Sequence, residues 1–166
     1  MLRRLSRRTA LQTVAAIGIA LVSNVSIANP GHPSGSGHNE TAFGQPADPK
    51  RPARIIVVTM RERNGEMVFI PNRFEIRRGE QIRFMLRNSG ALEHEFVLAT
   101  AEENRKHLEE MMKNPDMEHD DPNAKRLKPG ASGEILWHFT KAGEFDIACL
   151  IPGHRQAGMH ATVIVK

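Results

Sequence analysis

Cysteine, tryptophan and tyrosine are scarce: the chain of 166 residues has 1 Cys, 1 Trp and no Tyr. A single Cys excludes an internal disulfide framework, so stability has to come from a packed core. Charged residues make up 25% and hydrophobic residues 40%, which excludes wholesale disorder and a bundle of membrane helices. The length holds one domain of ordinary size and no large multidomain enzyme.

Acidic residues are missing from positions 1 to 28, where Arg3, Arg4, Arg7 and Arg8 are the only cations. Taking those 4 from the 23 Lys and Arg leaves 19 cations against 19 anions. The net charge of +4 therefore belongs to the leader, and the neutral remainder argues against a nucleic-acid partner. The leader continues into an apolar run from Val14 to Val22, too short to span a bilayer, and ends on the small residues Ser26 and Ala28. A cationic start, a short apolar stretch and small residues before a cut mark an export signal. Ser6 to Gln12 resembles the twin-arginine export motif, with Ala10 where Phe is usual; the general secretory route fits the same residues. Either route predicts a periplasmic protein with no stable membrane insertion once residues 1–28 are removed.

Residues 29–53 are dominated by Gly, Pro, Ser, His and Asn, a composition that buries little apolar area and predicts a flexible linker. His32 and His38 in it are read as bystanders, with transient metal binding the alternative. The ordered domain is expected over 54–166. Ile55-Ile56-Val57-Val58 is a β-branched run, and later segments alternate with period two. Ile82, Phe84 and Leu86 share one face, as do Phe96 and Leu98, Ile135, Trp137 and Phe139, Phe145, Ile147 and Cys149, and Ala161, Val163 and Val165. Strands of this kind joined by Pro-Gly and Ala-Gly turns predict an all-β antiparallel sandwich. One helix interrupts it. Thr100 and Glu103 form a capping box, Leu108, Met111 and Met112 an apolar stripe, and Asn114-Pro115 a stop. The polar stretch from Met117 to Lys128 is expected to be a surface loop.

The chemistry is concentrated near the C-terminus, where Cys149, His154 and Met159 follow the order Cys-x4-His-x4-Met. Each alone has a bland explanation as core filler or turn residue. With 8 His and 8 Met in the chain, chance places both at those offsets about two times in a thousand. A thiolate, an imidazole and a thioether form a soft donor set suited to copper, and a trigonal copper site needs a second imidazole. His94 is the candidate, since counting by twos puts it on the inward face with Phe96 and Leu98. The same count turns Cys149 and Met159 inward from two other strands. Zinc accepts Cys and His, but a Met ligand argues against it.

These residues resemble the cupredoxins, or blue copper proteins. The likeness covers about Arg54 to Lys166 and rests on Lys128-Pro129-Gly130, on Gly143 through Cys149 to His154, and on Gly158-Met159 entering the last strand. It implies a Greek-key β-sandwich with one type 1 copper, His94, Cys149 and His154 equatorial and Met159 axial. The loop spacing is similar to that of rusticyanin and auracyanin. The helix, the Met117 to Pro122 segment and the exported start look most like periplasmic cupredoxins of bacterial copper tolerance. One departure is Glu95, where many members have an Asn that ties the ligand loops together.

The resemblance implies one-electron Cu(I)/Cu(II) cycling, with His154 as the electron port among Leu150, Ile151, Pro152, Ala157 and Gly158, and a periplasmic redox partner docking there. The alternative is a protein that binds or buffers copper, with Met111, Met112, Met117 and His119 as accessory ligands. His107, His138 and His160 are read as surface residues. A copper oxidase or nitrite reductase needs copper sites and domains beyond this length, so an enzyme is not expected. A monomer is.

Overall fold

The computed structural model describes residues 40–114 and 121–166. The export signal, His32, His38, Met117 and His119 lie outside the described residues. Ten strands and one helix follow in chain order: β1 Gln45–Pro46, β2 Arg54–Arg63, β3 Glu66–Ile70, β4 Arg73–Ile76, β5 Gln81–Asn88, β6 His94–Ala99, α1 Ala101–Lys113, β7 Ala124–Leu127, β8 Ser132–His138, β9 Gly143–Ala148 and β10 His160–Val165. They form two five-stranded sheets, ordered β1-β8-β5-β2-β3 and β4-β10-β9-β6-β7.

Each alternating segment turns its apolar set inward. Ile82, Phe84 and Leu86 of β5, Ile135 and Trp137 of β8, Ile147 of β9 and Val163 and Val165 of β10 are buried. The sheets meet through aromatic rings, with Phe84 and Phe96 centroids 5.3 Å apart and Phe69 and Phe96 5.9 Å apart edge to face. Rings in this range add attraction beyond their buried area. The same period-two rule leaves Ile55 and Val57 of β2 outward, 63% and 60% exposed.

Three expectations need correction. The sandwich is not purely antiparallel, because β2 pairs parallel with β5 and β10 parallel with β4; period two reports which face is buried, not strand direction. The loop expected over Met117 to Lys128 contains β7, antiparallel to β6 with His94 opposite Leu127. Ala-Lys-Arg-Leu has too few β-branched residues to announce a strand, and its ladder bonds to β6 decide it. The linker drawn to Ala53 runs too far: Phe43 is 3% exposed in the core, and Gln45 and Pro46 pair with His138 and Trp137. Gly44 lies at φ +120, and a Cβ there would sit 2.2 Å from the His138 carbonyl oxygen. Only glycine fits so close an approach.

Helix α1 starts as expected. Thr100 is its N-cap, with Glu103 N–H donating to the Thr100 hydroxyl and Thr100 N–H to the Glu103 carboxylate. Met111 packs with Val97, Ala124, Ala148 and Leu150 beneath it, whereas Met112 is 63% exposed and does not belong to the stripe. Asn104 is buried and donates to Asp146 Oδ2 at 2.8 Å, fastening the helix to β9.

Candidate metal centre

His94, Cys149 and His154 gather at one end of β6 and β9, antiparallel neighbours in the second sheet. His94 opens β6. Cys149 follows β9 directly, and its N–H donates to the Met159 carbonyl at 3.1 Å, extending the β9–β10 ladder by one rung. Between these two, residues 150–158 wind into consecutive turns, with His154 N–H donating to Ile151 C=O at 3.0 Å and Met159 N–H returning to His154 C=O at 3.1 Å. The main chain thus ties three of the four sequence candidates together before any side chain is considered.

One donor atom each from His94, Cys149 and His154 lies within 4.8 Å of the other two. His94 Nδ1 and His154 Nδ1 are 3.3 Å apart, and Cys149 Sγ is 3.3 Å from His154 Nδ1. Bonds of about 2.0–2.3 Å to one first-row ion, spread at near-trigonal angles, put donor atoms roughly 3.3–3.8 Å apart. The spacing and the soft donor set fit a copper ion. Met159 is fully buried in the same core cluster as Cys149. His107, His138 and His160 stand outside the group, and Met111 is core filler on the inner face of α1.

Burial sets the protonation of the metal-free site. It pushes the Cys149 thiol up to about 12, because a desolvated thiolate is unfavourable. It lowers His94, against the opposing pull of Glu62, and it lowers His154, with His94 adding to the effect. Both imidazoles are therefore neutral at pH 7, as metal ligation requires.

Three supporting residues were not picked out from the sequence. Glu62, at the end of β2, places Oε1 3.0 Å from His94 Nε2. Burial disfavours its charge, but N–H donors of Ala91 and Leu92 and the nearby His94 outweigh this and hold its carboxyl at about 2. The signal was present: Val58, Met60 and Glu62 fall on one face, so a carboxylate sits where period two calls for an apolar side chain. Asn88 is buried and its amide donates to Leu92 C=O at 2.8 Å and Leu127 C=O at 2.9 Å, shaping the loop that enters β6. Asp146 pairs with Arg155, next to His154, at 2.8 Å. Glu95, the departure from the family pattern, is buried, and its main-chain N–H donates to Cys149 Sγ at 3.3 Å. That link to the thiolate is independent of the side chain at position 95.

Residues 56–166 match the family model for copper binding proteins, plastocyanin/azurin family. The chain belongs to this family. A copper-resistant cuproprotein CopI of Rubrivivax gelatinosus is 45% identical, the alignment covering 96% of each chain. The CopI of Pseudomonas aeruginosa is 36% identical over 75% of this chain and 83% of its own length. Among solved structures, auracyanin B superposes with a TM-score of 0.61 at 22% identity, over 76% of this chain and 96% of that one. An azurin from Methylomonas sp. strain J gives 0.54 at 13% identity, over 69% and 99%. These two fix the fold as cupredoxin, and the family fixes copper as the cofactor.

Leu150 corrects one detail of the expected rim. It is fully buried under α1, while Ile151 and Ala157 are half-buried and Pro152 and Gly158 exposed. Leu92, 44% exposed, is an outward apolar residue of the loop that enters β6.

Proposed function

We propose that this protein is a copper-tolerance cuproprotein of the periplasm, exported through residues 1–28, with a domain that includes Phe43 and holds one copper ion on His94 Nδ1, His154 Nδ1 and Cys149 Sγ, with Met159 as a weak fourth ligand. The observation that carries this reading is the three-atom cluster, built from two imidazoles and a buried thiol and closed by the main chain of Met159. The 45% identity with a copper-resistant CopI along nearly the whole of both chains supports tolerance as its role. Bound copper supplies one-electron Cu(I)/Cu(II) chemistry. The protein's part is to hold neutral imidazoles and a thiolate in a fixed, dry frame, so that little rearranges between oxidation states. No reacting substrate is assigned to the site, and the protein is read as a non-enzyme.

One-electron exchange with a partner protein is the second reading, favoured by a specific feature. His154 lies on a half-buried loop beside Ile151, Pro152 and Ala157, a small apolar margin of the kind suited to brief docking.

The test is anaerobic copper titration followed by visible absorption, paired with copper sensitivity of a strain lacking the gene. The expected results are an intense thiolate-to-copper band saturating at one equivalent, its loss in Cys149→Ser, and rescue of copper growth by wild type but not by that variant. A band that survives Cys149→Ser overturns the ligand assignment. Full rescue by the variant overturns the tolerance role of the site and leaves electron exchange.

A further inference from the structure

The environment of His94 Nε2 is fully determined. The ring is buried, and Nε2 faces Glu62 Oε1 at 3.0 Å. The same Oε1 accepts Leu92 N–H at 3.0 Å, and Oε2 accepts Ala91 N–H at 2.9 Å. Gly90 leaves room for the carboxylate, since a Cβ there would sit 2.5 Å from Oε2. Glu62 and His94 are 32 residues apart. They meet because Ser89 N–H donates to Met60 C=O at 2.9 Å, so the chain leaving β5 passes over the end of β2.

We infer that Glu62 is a positioning residue that locks His94 in the tautomer protonated at Nε2, so that the Nδ1 lone pair is directed at His154 and Cys149. A carboxylate whose two oxygens already accept backbone N–H groups offers only acceptor capacity, so the proton between Oε1 and Nε2 belongs to the ring. With Nε2 protonated and the ring neutral, Nδ1 is unprotonated. The 3.3 Å contact between the two Nδ1 atoms is then a hydrogen bond donated by His154 in the metal-free protein. A carboxylate behind a ligating histidine also raises its donor strength and fixes its ring, which is how outer residues tune a metal site. Glutamine cannot replace it. An amide has one acceptor oxygen, and the protein presents donors to both positions, so one amide orientation opposes Ala91 N–H and the other directs its NH2 at Leu92 N–H and His94 Nε2.

This inference rests on the reading that His94 binds copper through Nδ1, and its first readout needs no copper. In metal-free full-length protein with 15N-labelled histidine, long-range 1H–15N correlation at pH 8 assigns each ring tautomer. The expected result is Nε2–H for His94 in wild type and a mixed or inverted tautomer in Glu62→Gln, with Glu62→Ala as a second variant that introduces no amide. Copper affinity by chelator competition should fall roughly 10- to 100-fold in both while the thiolate-to-copper band persists, since Cys149 is intact. His94 protonated at Nδ1 in wild type overturns the inference, as does an unchanged Nε2–H tautomer with unchanged affinity in both variants. If wild type shows the expected tautomer and binds no copper, the copper-ligand reading fails and the positioning contact stands.

Discussion

Phe43 and Trp137 meet twice: their rings stack with centroids 5.2 Å apart and 18° between planes, and the Trp137 indole N–H donates to the Phe43 carbonyl at 3.0 Å. The only Trp of the chain thus depends for the partner of its indole N–H on a segment that composition assigned to a linker. Phe43→Ala should destabilise the metal-free domain by about 3 kcal/mol, the usual cost of emptying a buried Phe site. Denaturant unfolding followed by Trp137 fluorescence measures it. A loss under about 1 kcal/mol would mean that residues 40–53 only rest on the sandwich.

Much of the candidate site could be read from the sequence because its residues obey rules of short range. Cys149, His154 and Met159 lie within one loop, and His94 was recoverable from period two because β6 carries Phe96 and Leu98 on the same face. Thr100 and Glu103 announced α1 through a capping box that needs only four consecutive residues. What escaped depends on contacts across long separations. Phe43 lies in a stretch whose composition suggests no structure, yet the stack on Trp137 orders it. Asn64 and Gly65 both take positive φ at the β2–β3 turn, an Asn-Gly hairpin signal that the sequence carries and that was missed. The parallel β2–β5 pairing, which brings Glu62 beside His94, has no local signature at all.

The ligand loop is also held from outside by charge. Arg155 donates to both oxygens of Asp146, at 2.8 and 3.2 Å, and Asn104 of α1 donates to one of the same oxygens. Removing one partner of a mostly buried pair leaves the other uncompensated. Arg155→Gln should lower stability by about 1–2 kcal/mol and speed copper release, with little change in the thiolate band because no ligand is touched. Stopped-flow transfer to a chelator measures the release. An unchanged off-rate would mean that the backbone turns of residues 150–158 hold the loop unaided.

The metal-free domain should be most stable over a plateau from about pH 6.5 to about pH 9. Below the ordinary histidine value of 6.5, unfolded His94 and His154 take protons that the folded, lowered groups refuse, so acid favours unfolding. Glu62 extends the loss further down: its folded value of about 2 against an ordinary 4.5 contributes stability above pH 4.5 that disappears towards pH 2. On the alkaline side the unfolded thiol ionises from 9.0 while folded Cys149 stays protonated up to about 12, so stability falls again. Urea midpoints across pH 4 to 11 should trace this shape, and Cys149→Ser should remove the alkaline arm alone.

Copper uptake should release one proton per ion at pH 7.5. The thiol, pushed up to about 12, is protonated in the free protein, and a metal-bound sulfur is a thiolate. Both imidazoles are lowered from 6.5 and are already neutral, so they add nothing at this pH. Calorimetric titration in buffers of different ionisation enthalpy counts the protons. A count of one in wild type and zero in Cys149→Ser places the released proton on the sulfur, whereas zero in wild type would mean that Sγ is not a ligand. Further into acid, below the ordinary histidine value of 6.5, the count should rise as the lowered histidines take protons, and copper retention should weaken over that same range, because protons and metal then compete for the same donor atoms.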